Sequence, residues 1–279
     1  MRPYSICYVD ESIQADLGVV CSAFVFVEQD VDEAIRKILV NAGFNPEITE
    51  YKSSTRMAGN SGMQQVREGL MSIASRSTKI AVFFGPFERS RLGRQTLQAL
   101  QSIIVRNGFD PAGLVVHFDK EIFRTNAAAE RLLGCFTALR GCEIHGSEDS
   151  KLCRGIQLAD AVAHSFGQII KAAMNREEKQ IDIGRPNTGY DEGTMAPLSW
   201  ELLMTLRYAL LTRPTASDAS NYDPATDPVL PGPNIDDQIK VGQHPLFLGW
   251  GVQVAPESSA ELINAVQCRL ARLWLGCIY

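Results

Sequence analysis

Two apolar runs near the start of the chain, set apart by a short turn, restrict the fold more than any other feature. Residues 4–9 (Tyr-Ser-Ile-Cys-Tyr-Val) form a β-rich run that stops at Asp10-Glu11-Ser12. Residues 18–27 form a second run, apolar at Val19, Val20, Cys21, Ala23, Phe24, Val25 and Phe26, and Asp16-Leu17-Gly18 supplies turn chemistry between them. The pair reads as a β-hairpin. Further strands are predicted over residues 79–84, 114–118 and 143–145. Helices are predicted over residues 30–41, 63–74, 89–106, 125–139 and 198–211, and after the capping-box spacing Ser258-Ser259-Ala260-Glu261. Strands lead and then alternate with helices, so the expected class is α/β, a mixed sheet flanked by helices.

One further helix carries a chemical signal. Over residues 154–171, Ile156, Ala159, Val162, Ala163, Phe166 and Ile170 recur at helical spacing and predict an inward face. Arg154, Gln157, Asp160, His164, Gln168 and Lys171 make a second, polar stripe. Asp160 sits in the middle of that stripe, where a carboxylate competes for backbone hydrogen bonds and weakens a helix. Alone it reads as half of a surface ion pair. Other acids converging on it would change that reading.

At 279 residues and 45% hydrophobic, the chain can bury a sizeable core. The expected organisation is a core over residues 1–174, a charged loop and helix over 175–212, a proline-rich irregular segment over 213–257 and a helical C-terminal appendage over 258–279. The last helix is expected to pack on the core or on a second copy of the chain, giving a homo-oligomer. No apolar run is long enough to span a bilayer, and the opening residues lack the order of a secretory signal, so a cytoplasmic protein is expected. The seven cysteines include no C-x-x-C pair, which fits reduced thiols and argues against a zinc site. A formal net charge of −5 argues against coating nucleic acid by bulk charge. It leaves room for an enzyme of phosphodiesters, whose metal-binding acids would themselves add negative charge.

Two predicted strands end at an acid, Asp10 and Asp119. If those strands run parallel and adjacent, both carboxylates stand at the edge where α/β sites gather. Glu50 could reach the same edge, and Asp160 could pack across it. Acids in such a cluster repel one another unless cations compensate, and hard oxygen donors select Mg²⁺ or Mn²⁺ over zinc. Two such ions activate water and stabilise the leaving oxygen of a phosphodiester.

Asp149 is either a rival ligand or the acid of an Asx turn with Lys151. Glu11 alternates away from Asp10 and reads as a structural pairing. Lys52 either contacts a phosphate, balances the acids or is merely solvated. Gln157 and His164 are candidate substrate contacts from the polar stripe, with His164 a possible proton carrier. Arg89, Arg91 and Arg94 open a helix, where positive charge opposes the macrodipole, and so hint at phosphate contacts. His117 lies in an apolar strand and reads as a core residue, whereas His145 and His244 carry no signal.

Tyr8-Val9-Asp10-Glu11-Ser12, Glu50-Tyr51-Lys52, Phe118-Asp119, Asp149-Ser150-Lys151 and Gln157-Leu158-Ala159-Asp160 occur in this order. Together they resemble the domain of unknown function 3800 family, a mostly bacterial group placed in the ribonuclease H-like superfamily. The likeness covers roughly residues 1–171, and Ile13 stands where the family usually has Gly. The resemblance implies a ribonuclease H-like core and a nuclease holding two Mg²⁺ or Mn²⁺ ions on Asp10, Glu50, Asp119 and Asp160, with nucleic acid as partner. A catalytically silent ribonuclease H-like module that binds nucleic acid or protein is the alternative. An aspartyl-phosphate phosphatase using Asp10 ranks lower, because Ser12 stands where that chemistry usually places a second Asp.

Overall fold

The computed structural model describes residues 4–174, 178–184, 189–211, 246–247 and 251–274. Along the chain run β1 (Ile6–Gln14), β2 (Val19–Val27), α1 (Asp32–Asn41), α2 (Ser61–Ser77), β3 (Lys79–Pro86), α3 (Leu92–Asn107), β4 (Val115–Asp119), α4 (Asn126–Leu133), β5 (Glu143–Glu148) and α5 (Gly155–Ala173). Then follow β6 (Gln180–Asp182), β7 (Met195–Pro197), α6 (Leu198–Leu206), β8 (Leu246–Phe247), β9 (Val252–Val254) and α7 (Ala260–Trp274).

The N-terminal hairpin is present. β1 and β2 pair antiparallel from Ile6↔Val27 to Gln14↔Val19, and Gly18 takes the positive φ of 63° that their turn requires. Every residue of β2 is buried, so both of its faces must be covered. Val19, Cys21, Ala23, Val25 and Val27 face one core, while Phe24 and Phe26 face another, as the period of two dictates. The first core is closed by α1, α2, α5, α6 and α7, and the second by α3 and α4.

The sheet is mixed and seven-stranded, in the order β5-β4-β1-β2-β3-β9-β8. β4 runs parallel to β1 and β5 parallel to β4, whereas β2 is antiparallel to both β1 and β3. β6 and β7 form a separate two-stranded ribbon.

α5 lies across the first face of the sheet, against β1 and β2. Gly155, Ala159, Ala163 and Gly167 fall four apart and all are buried, which lets the helix axis come close. At one end of the row, a Cβ on Gly155 would stand 2.2 Å from the Tyr8 ring. Gly155→Ala is therefore expected to destabilise the protein by about 2 kcal/mol, despite alanine's helix preference of roughly 1 kcal/mol over glycine. Urea denaturation measures it. Arg154, placed on the polar stripe from sequence, is buried instead: it donates to Asp32 Oδ2 and to the Pro46 carbonyl, both at 2.9 Å, anchoring the helix start to α1.

The segments beyond residue 174 share the main core. Leu202, Leu203 and Leu206 of α6, and Leu262, Val266 and Leu270 of α7, pack into it alongside α5. The boundary expected at 174 therefore does not divide two cores, and the described apolar face of α7 is used within the chain. Most of the proline-rich stretch lies outside the described residues, but its last part supplies β9, which pairs parallel with β3 from Val82↔Val252 to Phe84↔Val254. Three residues are too few to display an alternating pattern in sequence. Among the described residues, no helix is long and apolar enough to cross a membrane.

Candidate functional site

β1 does not stop at Asp10, as its sequence suggested, but continues to Gln14 as part of the hairpin. What ends there is the parallel pairing with β4, which runs from Ile6↔Val115 to Val9↔Phe118. Asp10 and Asp119 are the next residue on each strand, so they stand side by side where the strands part. Asp119 Oδ1 accepts from the Glu121 backbone N–H at 2.8 Å, and Asp10 Oδ1 from that of Glu11 at 2.7 Å. Ligand oxygens of Asp10, Glu11 and Asp119 lie within 4.8 Å of one another. These acids could hold a metal ion.

Glu11 thus joins the cluster from which its alternation appeared to exclude it. β4 has ended by this point, so no neighbouring strand separates the two faces and the longer side chain reaches round the open edge. The Glu11 side chain is only 5% exposed, and Arg89 stands 3.8 Å from its Oε1. Its Oε2 and Asp119 Oδ2 are buried without a hydrogen-bond partner. Buried anionic oxygens normally have partners, so two orphans facing one cluster suit a bound cation.

Asp160 and Glu50 close the site from the helix side. Asp160 accepts twice from Ser53, from the backbone N–H at 2.8 Å and the hydroxyl at 2.5 Å. Glu50 Oε2 accepts from the Ser150 hydroxyl at 2.6 Å. Lys52 Nζ lies 3.4 Å from that hydroxyl and 3.9 Å from Glu50 Oε2. Ser53 and Ser150 were given no role from sequence, although Ser53 adjoins Glu50-Tyr51-Lys52 and Ser150 lies within Asp149-Ser150-Lys151.

The electrostatics reflect crowding. Burial, then the charges of Asp160, Glu11 and Asp119, hold the Asp10 carboxyl well above the usual range. Burial and Asp119 push Glu11 up to about 7, against the opposing pull of Arg89. Asp119 and Asp160 are also raised by burial, partly offset by the Glu121 N–H and by Ser53 respectively. Burial works against charge on Lys52, yet Glu50, Asp119, Asp10 and Asp160 together raise its pKa. Lys52 therefore feels the charge of all four acids that the sequence pointed to, of which Asp10 and Asp119, with Glu11, have ligand oxygens within 4.8 Å of one another.

Other candidates fall elsewhere. Gln157 is 1% exposed, and its side chain is committed: Oε1 accepts from the Tyr51 N–H at 2.8 Å and Nε2 donates to the Ser150 carbonyl at 2.7 Å. It is a buried clamp between the loops that carry Glu50, Lys52 and Ser150, and it has no free edge for substrate. Gln157→Ala would strand two buried backbone groups, and we expect a loss of about 3 kcal/mol in a denaturant titration. Burial, and then Arg67, lower the pKa of His164.

Asp149 makes the Asx turn: its Oδ1 accepts from the Lys151 N–H at 3.0 Å, and Lys120 approaches to 3.5 Å. Its carboxyl is held below the usual range by that N–H first. Arg89 bonds Glu121 at 2.8 Å as well as facing Glu11, and Arg91 pairs with Glu88 at 2.9 Å, so both are engaged with carboxylates. Both also precede α3, which begins at Leu92, and exposed Arg94 is the one of the three inside it. No family model matches this chain, and no curated protein matches it.

Proposed function

We propose that this protein is a divalent-metal-dependent phosphodiester hydrolase with a ribonuclease H-like core, acting on nucleic acid. The observation that carries the reading is the juxtaposition of Asp10 and Asp119 where the parallel pairing of β1 with β4 ends, with the charges of Asp160 and Glu50 felt nearby. The order β3-β2-β1-β4-β5, with β2 alone antiparallel, supports the ribonuclease H-like assignment. So does the ordered resemblance to the domain of unknown function 3800 family over residues 1–171.

Five carboxylates (Asp10, Glu11, Glu50, Asp119 and Asp160) meet three nearby cations, Lys52, Arg89 and Lys120. That imbalance, the two orphaned oxygens and an all-oxygen donor set fit Mg²⁺ or Mn²⁺. Asp10 and Asp119 would hold or bridge a pair of ions, with Glu50 and Asp160 completing the shells. Bound ions would supply Lewis acidity and charge neutralisation at the phosphate. Lys52, 43% exposed, is free to swing from Glu50 towards a phosphate oxygen. Ser53 and Ser150 fix the rotamers of Asp160 and Glu50, which would hold both carboxylates ready for an ion.

The test is cleavage of single-stranded, duplex and hybrid oligonucleotides with Mn²⁺, Mg²⁺ or chelator. Cleavage that needs a divalent ion supports the reading. Retained binding with no cleavage of any substrate in Mn²⁺ would instead favour the silent module.

A further inference from the structure

Besides the acid cluster, the described residues hold one other group with metal-ligating geometry: His117, His145 and Glu148, whose ligand atoms lie within 4.8 Å of one another. Strand register builds it. Tyr8, His117 and His145 occupy neighbouring positions across β1, β4 and β5. Their rings stack, with centroids 5.5 Å apart for Tyr8 and His117 and 4.8 Å for the two histidines. In a regular strand Glu148, three residues on from His145, would point to the opposite face. The register between β4 and β5 slips between His117 and Asp119, so that Asp119 pairs with Glu148. That extra residue in β5 turns Glu148 back to the histidine side.

Glu148 Oε1 lies 3.4 Å from His117 Nδ1 and 3.6 Å from His145 Nδ1. Nitrogen and oxygen ligands of a tetrahedral ion, each bound at about 2.0–2.2 Å, stand about 3.4 Å apart. The other ring nitrogen of His145, Nε2, lies 2.9 Å from Glu143 Oε1. A neutral imidazole has one N–H. The shorter approach takes it, leaving the Nδ1 lone pair aimed at a carboxylate oxygen. Such an approach is repulsive unless a cation or a second proton lies between. A carboxylate on the far nitrogen is also how proteins fix the tautomer of a ligating histidine. The side chains of His117, His145 and Glu148 are 20, 36 and 25% exposed, so an ion can enter from solvent.

We infer that His117, His145 and Glu148 form a second metal site, for an imidazole-preferring divalent ion of the Zn²⁺ class, with Glu143 orienting His145. Two imidazoles and one carboxylate leave a fourth position for water or an external ligand. The site joins β4 to β5, and it stands whether or not the acid cluster cleaves phosphodiesters.

The experiment is titration of the metal-stripped full chain with Co²⁺ at pH 7.5, followed by displacement with Zn²⁺. Expected are one equivalent of Co²⁺ with the visible absorption of a low-coordinate nitrogen-ligated ion, its loss on adding Zn²⁺, and a rise in Tm with Zn²⁺. His145→Gln and Glu148→Gln should each weaken binding at least 100-fold and abolish the Tm rise, and Glu143→Gln should weaken it 10- to 100-fold. Excess Mg²⁺, which favours all-oxygen sites, should leave the Co²⁺ absorption unchanged. The wild-type spectrum is decisive even if a variant folds poorly. Absence of the Co²⁺ absorption would overturn the site, as would Zn²⁺ stabilisation that survives His145→Gln but disappears in Asp119→Asn. A metal-free His145 protonated on both nitrogens and indifferent to Zn²⁺ would overturn it too, leaving an imidazolium ion pair.

Discussion

On the proposed hydrolase reading, Asp119→Asn is expected to abolish divalent-ion-dependent cleavage while the protein folds at least as well as before. The expected loss is roughly 1,000-fold or more, equivalent to about 4 kcal/mol of transition-state stabilisation. Asn keeps one oxygen for the Glu121 N–H but removes the charge, and Asp119 Oδ2 is the buried orphan best suited to a cation. Removing one of several repelling acids lightens the electrostatic strain on the metal-free fold, so inactivity cannot be ascribed to unfolding. Asp10→Asn should behave alike. Cleavage at near wild-type rates by either variant, with an intact thermal transition, would remove the acid cluster from the chemistry.

The second large effect concerns pH. In chelator, the protein should lose stability as pH rises from the ordinary carboxylate range towards 7. Glu11 titrates at about 7 in the fold against 4.5 ordinarily. Between those values the folded state binds more protons than the unfolded one, so the unfolding free energy falls with pH. Below both values the group is protonated in either state and contributes no penalty. For Glu11 alone the fall is about 3 kcal/mol, and Asp10, Asp119 and Asp160 are shifted the same way. Glu11→Gln should flatten much of that slope and stabilise the metal-free protein near pH 7. Excess Mn²⁺ should reverse it, because an ion that binds only the folded, ionised cluster adds stability by mass action. Urea midpoints at pH 5 and 7.5, with chelator or Mn²⁺, measure all three. Stability that climbs with pH in chelator would contradict the proposed crowding.

Much of the acid cluster was legible in sequence because each acid sits where a local rule is broken or a strand is interrupted. Asp160 stands mid-helix among small residues, and Asp10 and Asp119 terminate apolar runs dense enough to be read as strands. The hairpin was legible for the same reason: nine consecutive buried positions leave little choice. Glu11 was not, since alternation assigns a face but does not register that the neighbouring strand has ended. Gln157 and Arg154 were placed on a polar stripe that periodicity cannot distinguish from a solvated one. The loops carrying Tyr51, Ser150 and Pro46 bury both side chains, and the contacts to Tyr51 and Pro46 span more than a hundred residues. His145 gave no signal because its partner Glu148 reaches it only through a register slip, which depends on how two strands meet.

The placement of β9 bears on synthesis. Ile80 of β3 bonds Ala209 and Leu211, but Val82–Phe84 pair with a segment some 170 residues further along the chain, so a nascent polypeptide whose first 211 residues have left the ribosome presents that part of the strand with one margin unpaired. An open margin of this kind is a template for unwanted partners, and closing it over so long a separation is slow. The growing chain should therefore depend on chaperone shielding until β9 emerges, and a fragment trimmed to residues 1–211 should accumulate as aggregates rather than as a minimal folded unit.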